Sequence, residues 1–487
     1  MRVFLGNSPW NTKPGYYGVR AGSRWPHFEA CTERYMPFPF YLAYAAAILE
    51  KAGYDVLLVD GIAERMTTEQ FIDRIQTFNP DLVVYEVSTA SFLTDMDTAA
   101  RVHQRIGRRP TVFCGIHEEM YHERFFAQCN LMDYTLIGEY EYNLLELVKA
   151  LEAGREPVEV PGLLYRDGSG QVHKNNKPPN APPIDEYPWP ARHFLPMRVY
   201  HDVPGNIPEP SVQMWASRGC PYGCIFCAWP QIMYGNRSYR TRDPIDCIDE
   251  MEMCVKDYGM RSAYFDDDTF NIGEKRIIAL CEEKMRRGLD IPWAAMARAD
   301  TNTREMLVAM RRSNLWGIKY GIESANQAIV DGSDKNLDLG AAERMVKFTK
   351  RLGIKVHLTF TFGLPGETRE TMEETLKFVR HVNPDSLQFS ICTPFPGSKM
   401  YKYMEEKGYL VSRHWDDYDG GTTAVIRTEH LDPEDLEEMQ KRAYREWEQM
   451  KIRRTFTDPL YFLKALKHPR QGYHRLKYAL NVLRRTA

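Results

Sequence analysis

Short apolar runs alternate with longer stretches of helical hydrophobic spacing through most of this chain, an order that predicts strand and helix in turn. Up to about residue 150 the runs Arg2–Leu5, Asp55–Val59, Leu82–Glu86, Thr111–Cys114 and Tyr134–Ile137 are expected strands. The expected helices between them are Phe40–Ala52, Thr68–Phe78, Met96–Ile106 and Asn143–Glu152. That alternation is the pattern of a parallel sheet covered on both faces. From 151 to 210 it lapses into proline, glycine and asparagine, a semi-rigid connector holding one hairpin, Gly162–Tyr165 with Gln171–His173 about Asp167-Gly168. It resumes from 211 to 410 with strands near Val212–Ala216, Ser262–Phe265, Trp293–Met296, Gly317–Tyr320, Lys355–Phe362 and Ser386–Ile391. Residues 411–487 are expected to be mostly helical.

A chain of 487 residues is too long for one ordinary domain. With 43% apolar and 26% charged residues it has the composition of a soluble globular protein, and a net charge of −3 carries no nucleic-acid signal. Most of its ten cysteines are scattered singly, which argues for a reducing, cytoplasmic compartment rather than a disulfide framework. The start, Met1-Arg2-Val3-Phe4-Leu5, reads as a strand and lacks the layout of a signal peptide, and no run is long and apolar enough to span a bilayer.

Three cysteines are not scattered. Cys220, Cys224 and Cys227 follow the first strand of the second strand–helix series with the spacing Cys-x3-Cys-x2-Cys, and Phe226 stands just before the third. Three thiolates on one tight loop can ligate three irons of a [4Fe–4S] cube and leave the fourth open. The competing use, a zinc knuckle, wants a fourth ligand at similar spacing, and the next cysteine is Cys247.

The cysteine spacing and Phe226 resemble the signature of the radical S-adenosylmethionine (SAM) superfamily. Small and hydroxyl residues after the third strand (Ser88, Thr89), glycine after the fourth (Gly115) and Gly138-Glu139-Tyr140-Glu141 after the fifth are similar to the cobalamin-dependent branch of that superfamily. No GxGxxG follows the first strand, so a dinucleotide is not indicated, and the Asp-x-His-x-x-Gly of cobalamin mutases is absent there. The resemblance implies an α/β protein: a Rossmann-like cobalamin-binding-type domain over 1–150, the connector, a partial (β/α)6 barrel over 211–410, and a helical, basic carboxyl-terminal extension. It implies a [4Fe–4S] cluster, SAM and cobalamin as cofactors, and a low-potential electron donor such as flavodoxin or ferredoxin.

Residue by residue, the resemblance assigns the cluster to Cys220, Cys224 and Cys227 with Phe226 beside it. Asp267 or Asp268 would take the SAM ammonium, Arg298 its carboxylate, Glu323 and Ser324 the ribose, and Gly363 the adenine. Ser88, Thr89, Gly115, Gly138 and Glu139 would line a cobalamin site. His117 is either a neighbour of the cobalt's lower face or a hydrogen-bonded structural residue, and Glu367 is expected to cap the helix Glu370–Val379. The activity implied is methylation of an unactivated carbon in a small-molecule or lipid-like substrate. Cyclisation, rearrangement or dehydrogenation without methyl transfer, and a non-catalytic cobalamin sensor, are the alternatives. After Lys451 the chain is strongly basic with interleaved apolar residues, suited to covering the barrel's open side or to lying on an anionic membrane.

Overall fold

The computed structural model describes residues 1–10, 17–19, 28–30, 35–176, 181–202, 205–235 and 237–457. The proline run at 177–180 and the basic tail beyond 457, with its expected barrel or membrane contact, lie outside the described residues.

Five parallel strands, β1 (Arg2–Asn7), β2 (Asp55–Asp60), β3 (Leu82–Val87), β4 (Thr111–Gly115) and β5 (Tyr134–Leu136), pair in the order β2-β1-β3-β4-β5. Every residue of β3 is buried, as expected of a central strand with helices on both faces. The helix Thr68–Phe78 starts where its sequence says: Thr67 accepts from the Gln70 amide at 3.2 Å and donates its own amide to the Gln70 side chain at 2.8 Å. It stops at Asn79, which takes the left-handed conformation. The helix expected from Met96 begins four residues earlier, at Phe92.

The hairpin β6 (Leu163–Arg166) and β7 (Val172–Lys174) forms where Asp167-Gly168 predicts it. It pairs antiparallel onto β5 and so extends the first sheet past residue 150.

The second sheet is wholly parallel: β8 (Ser211–Met214), β9 (Ser262–Phe265), β10 (Trp293–Ala297), β11 (Leu315–Glu323), β12 (Lys355–Phe362) and β13 (Ser386–Ile391), in chain order. Alternation in β12 divides two environments, with Val356, Leu358, Phe360 and Phe362 in the hydrophobic core and His357, Thr359 and Thr361 on the opposite face.

Among the described residues of the carboxyl-terminal segment, only part is helical. Asp419 accepts from the amides of Gly421, Thr422 and Thr423, a turn that competes with helix, and the α-helix described there is Pro433–Thr457. There Gln440 donates to the Phe389 carbonyl at 2.9 Å, and Tyr444 accepts from its amide at 3.0 Å. These bonds occupy the free edge of β13 and leave it no exposed pairing partner at that residue.

The described residues of the connector strap the domains together. Tyr200 donates to Asp60 at the end of β2, and Asp202 pairs with Lys319 of β11 at 2.7 Å. The carbonyl of Gly205 accepts from Trp316 and Lys355, at the amino ends of β11 and β12. Arg192 is buried against Glu250, whose second oxygen holds Arg242 at 2.6 Å. Helix Phe40–Lys51 completes the junction. It is buried nearly all round because one side covers β1 and β2 and the other meets the barrel, with Phe40 stacked 4.1 Å from Trp215.

Candidate active site

The carboxyl ends of both sheets carry the chemistry. In the second sheet the cysteine loop leaves β8 through a short pair, Ser217–Gly219 with Tyr239–Thr241. Gly219 has φ of +89°, and a Cβ there would stand 2.2 Å from the Ser238 carbonyl oxygen, so only glycine fits. The loop's backbone is then held from several directions. Gln231 donates to the carbonyls of Cys224, Ile225 and Cys227 at 3.3, 3.1 and 2.6 Å. Ile225 donates its amide to the Ser333 carbonyl, and Met400 donates back to Ile225.

The three thiols are free of disulfides, and burial raises the pKa of each. Such thiols deprotonate when a metal takes them. A [4Fe–4S] cube gives each thiolate its own iron. Three soft donors on one braced loop fit the cluster. Cys247, Cys254 and Cys281 are buried core residues, as their helical positions predict.

Several residues expected to face SAM bond to this loop and its surroundings. Asp267 is fully buried and accepts from the Ala216 amide at 3.2 Å and from the Ser217 hydroxyl. Asp268 accepts from the Gly219 amide at 3.0 Å and from Tyr234 at 2.7 Å. Arg298 forms a bidentate pair with Asp300 at 3.0 and 2.8 Å, donates to the carbonyls of Lys335 and Asn336, and lies 3.7 Å over the Tyr222 ring. Its fork is taken by Asp300, two residues on.

Glu323 sits at a bulge in the β11–β12 pairing with φ of +70°, a strained conformation for its residue type. One carboxylate oxygen accepts from Lys335 at 2.8 Å and the other from Thr361 at 2.8 Å. Ser324 is buried and caps the following turn through Asn326. Gly363, φ +89°, donates its amide to Glu367 at 2.6 Å. The helix after it is capped by Thr368, so Glu367 is not a cap: it clamps the Gly363 turn, and burial raises its pKa to about 8.

At the first sheet, strand order reverses between β1 and β3, the place where ligands of such sheets bind. Ser8 and Ser91 both donate to Asp95, and the Ser88 and Ser91 hydroxyls lie 2.8 Å apart, so one hydroxyl network spans the crevice. Gly115, φ +117°, passes so close to Val87 that a Cβ would lie 2.3 Å from its carbonyl oxygen. His117 follows, fully buried, with Nδ1 3.4 Å from the Thr89 hydroxyl. Its Nε2 has no hydrogen-bond partner, and burial draws its pKa down to about 3. Its ring packs on Phe92 and, from the carboxyl-terminal segment, Trp415. A crevice of hydroxyls with an orphaned buried nitrogen fits a large polar cofactor.

Gly138 and Glu139 follow β5. Glu139, expected beside cobalamin, has its carboxylate on Arg218 at 3.1 Å and on Arg240 at 2.5 Å. Arg218, two residues before Cys220, also pairs with Glu141 at 2.6 Å. Its guanidinium lies 4.5–5.2 Å from the rings of Tyr187, Tyr44, Trp215 and Tyr41. Sequence reasoning missed Arg218, Gln231, Asp95 and Lys335. Arg218 had one available signal, its place inside the cysteine segment.

Comparison with known proteins agrees with both halves. A family model described as the radical SAM superfamily matches residues 216–379, and one described as a B12 binding domain matches residues 34–148. An uncharacterized methyltransferase of Pyrococcus horikoshii is 32% identical over 411 residues, 83% of this chain and 86% of that protein. The anaerobic magnesium-protoporphyrin IX monomethyl ester cyclase of Rubrivivax gelatinosus is 29% identical over 81% of this chain and 69% of its own length. Among solved structures, the cobalamin-dependent SAM radical enzyme OxsB, with aqua-cobalamin and SAM bound, covers 99% of this chain and 70% of its own, at TM-score 0.71 and 17% identity. At that identity the likeness is one of fold.

Proposed function

The chain belongs to the radical SAM superfamily, in the branch that carries a B12-binding domain, and we propose that it is a cobalamin-dependent methyltransferase acting on an unactivated carbon of a small molecule. The observation that carries this reading is the junction of Arg218 with Glu139 and Glu141, which ties the cysteine loop directly to the last strand–helix turn of the B12-type domain. When bound, the cluster with SAM supplies a carbon radical that takes hydrogen from substrate, and cobalamin supplies the methyl group.

Cys220, Cys224 and Cys227 hold the cluster, and Gln231, Asp267 and Asp268 keep their loop in shape. Glu323, Ser324 and Gly363 line the mouth where SAM sits; Arg298 acts from behind, through Tyr222. Ser88, Thr89, Gly115 and His117 line the cobalamin crevice, with Asp95 ordering its hydroxyls. A low-potential protein such as a flavodoxin or ferredoxin delivers electrons.

The similarity to cyclases over most of the chain supports a second reading, radical cyclisation on the same scaffold without net methyl transfer. Anaerobic reconstitution followed by iron, sulfide and cobalt analysis tests both. Four irons with about one cobalamin per chain, and loss of iron and of 5′-deoxyadenosine formation in Cys224→Ala, is the expected result. A cluster with no retained cobalamin would shift the reading to cyclisation, and deoxyadenosine surviving in Cys224→Ala without iron would end both.

A further inference from the structure

The segment Ser333–Asn336 touches the cysteine loop's surroundings at four places. Its Ser333 carbonyl takes the Ile225 amide at 3.0 Å, and its Asp334 carboxylate pairs with Arg237 at 2.9 Å. The Lys335 and Asn336 carbonyls take Arg298, whose other face stacks on Tyr222. The Lys335 ammonium points inward. It is 8% exposed, pairs with the equally buried Glu323 at 2.8 Å and lies 5.9 Å from the Phe226 ring centroid. Asp334 and Asn336 on either side are both left-handed, φ +53° and +50°, so the backbone is bent to present this one side chain.

Lys335 stands beside the cysteine loop: its neighbour Ser333 bonds Ile225, between Cys224 and Cys227, and its ammonium faces the ring of Phe226. A charge pair this deeply buried is little screened, so each member acts on whatever the thiolates hold. We propose that Lys335 is a positioning residue that holds Glu323 at the mouth and, with it, sets the reduction potential of the cluster: the ammonium favours the reduced, more negative state and the carboxylate opposes it. The inference rests on the cluster reading above and goes beyond it by assigning the two charges opposite effects.

The test is an anaerobic titration of the reconstituted enzyme with dithionite, without SAM, in which the one-electron reduction of the cluster is followed by electron paramagnetic resonance. Lys335→Met should shift the midpoint potential negative, Lys335→Arg should restore it toward the unaltered value, and Glu323→Gln should shift it positive. Opposite signs are the result a general loosening of the loop would not produce. Equal potentials in all four proteins, or shifts of one sign in Lys335→Met and Glu323→Gln, would overturn the proposal. Should Lys335→Met fail to retain iron, a potential in Glu323→Gln that is not raised overturns it alone. Iron and sulfide content of the unaltered chain decides the cluster reading separately, and its failure there removes this inference with it.

Discussion

The two sheets place their chemistry alike and finish it differently. At the barrel mouth nearly every polar group is paired within the protein: Asp267 with the loop backbone, Arg298 with Asp300, Glu323 with Lys335 and Thr361. At the crevice of the first sheet the hydroxyls share bonds among themselves and His117 keeps a buried nitrogen without a partner. A cluster held by three thiolates needs a rigid loop more than it needs free donors, so the mouth spends its polar groups on bracing. A large polar cofactor laid along strand ends needs a group left to bond, and the crevice retains the His117 nitrogen.

Arg218 is where the two regions meet, and breaking it has the largest expected effect. Arg218→Met leaves Glu141 buried without its cation, at a cost of about 3–5 kcal/mol in urea unfolding. Adding Glu141→Leu should recover part of the loss by removing the stranded carboxylate. A single variant as stable as the unaltered protein would show that the Arg218 pair contributes nothing to joining the domains.

Within the mouth, Glu367 marks the end of the bracing. Its folded pKa is raised to about 8, so between about pH 4.5 and 8 the folded chain keeps a proton that the unfolded chain has released, and stability falls as pH rises through that window. Glu367→Gln removes this slope. Relative to the unaltered protein, the variant should gain about 3 kcal/mol of stability between about pH 4.5 and pH 7. Parallel stability curves would mean that the carboxyl group is solvated.

His117 bends the balance the other way. Its folded pKa is lowered to about 3, so below about pH 6.5 the unfolded chain takes up a proton that the folded chain refuses, and stability falls as pH drops. Replacing it by glutamine should reduce the difference in stability between about pH 7 and pH 5 by about 2 kcal/mol. An undiminished difference would place the acid sensitivity elsewhere in the crevice.

Much of the fold was legible because its signals are local. Four expected elements, Thr68–Phe78, Ser262–Phe265, Lys355–Phe362 and Ser386–Ile391, have the bounds found. Each has a strong apolar period, a cap or both, and these act within a turn or a strand. The helix expected from Met96 lost its first turn to the reading because Phe92-Leu93-Thr94-Asp95 mixes an exposed leucine with a buried aspartate. Asp95 is buried because Ser8 and Ser91 come to it, which no local pattern reports.

The sequence by itself determined that three thiols stand on one loop after a strand, and that two parallel α/β units flank a proline-rich connector. Spacing and periodicity are properties of neighbours along the chain. The tertiary structure alone decided which distant groups the buried charges pair with. Glu139 and Asp267 have the residue types of ligand contacts, yet each meets its partners only after folding: Arg218 and Arg240 from the other domain for Glu139, and Ala216 and Ser217 after the neighbouring strand for Asp267. A buried charge must be paired, and the partner's distance along the chain is not constrained by that requirement.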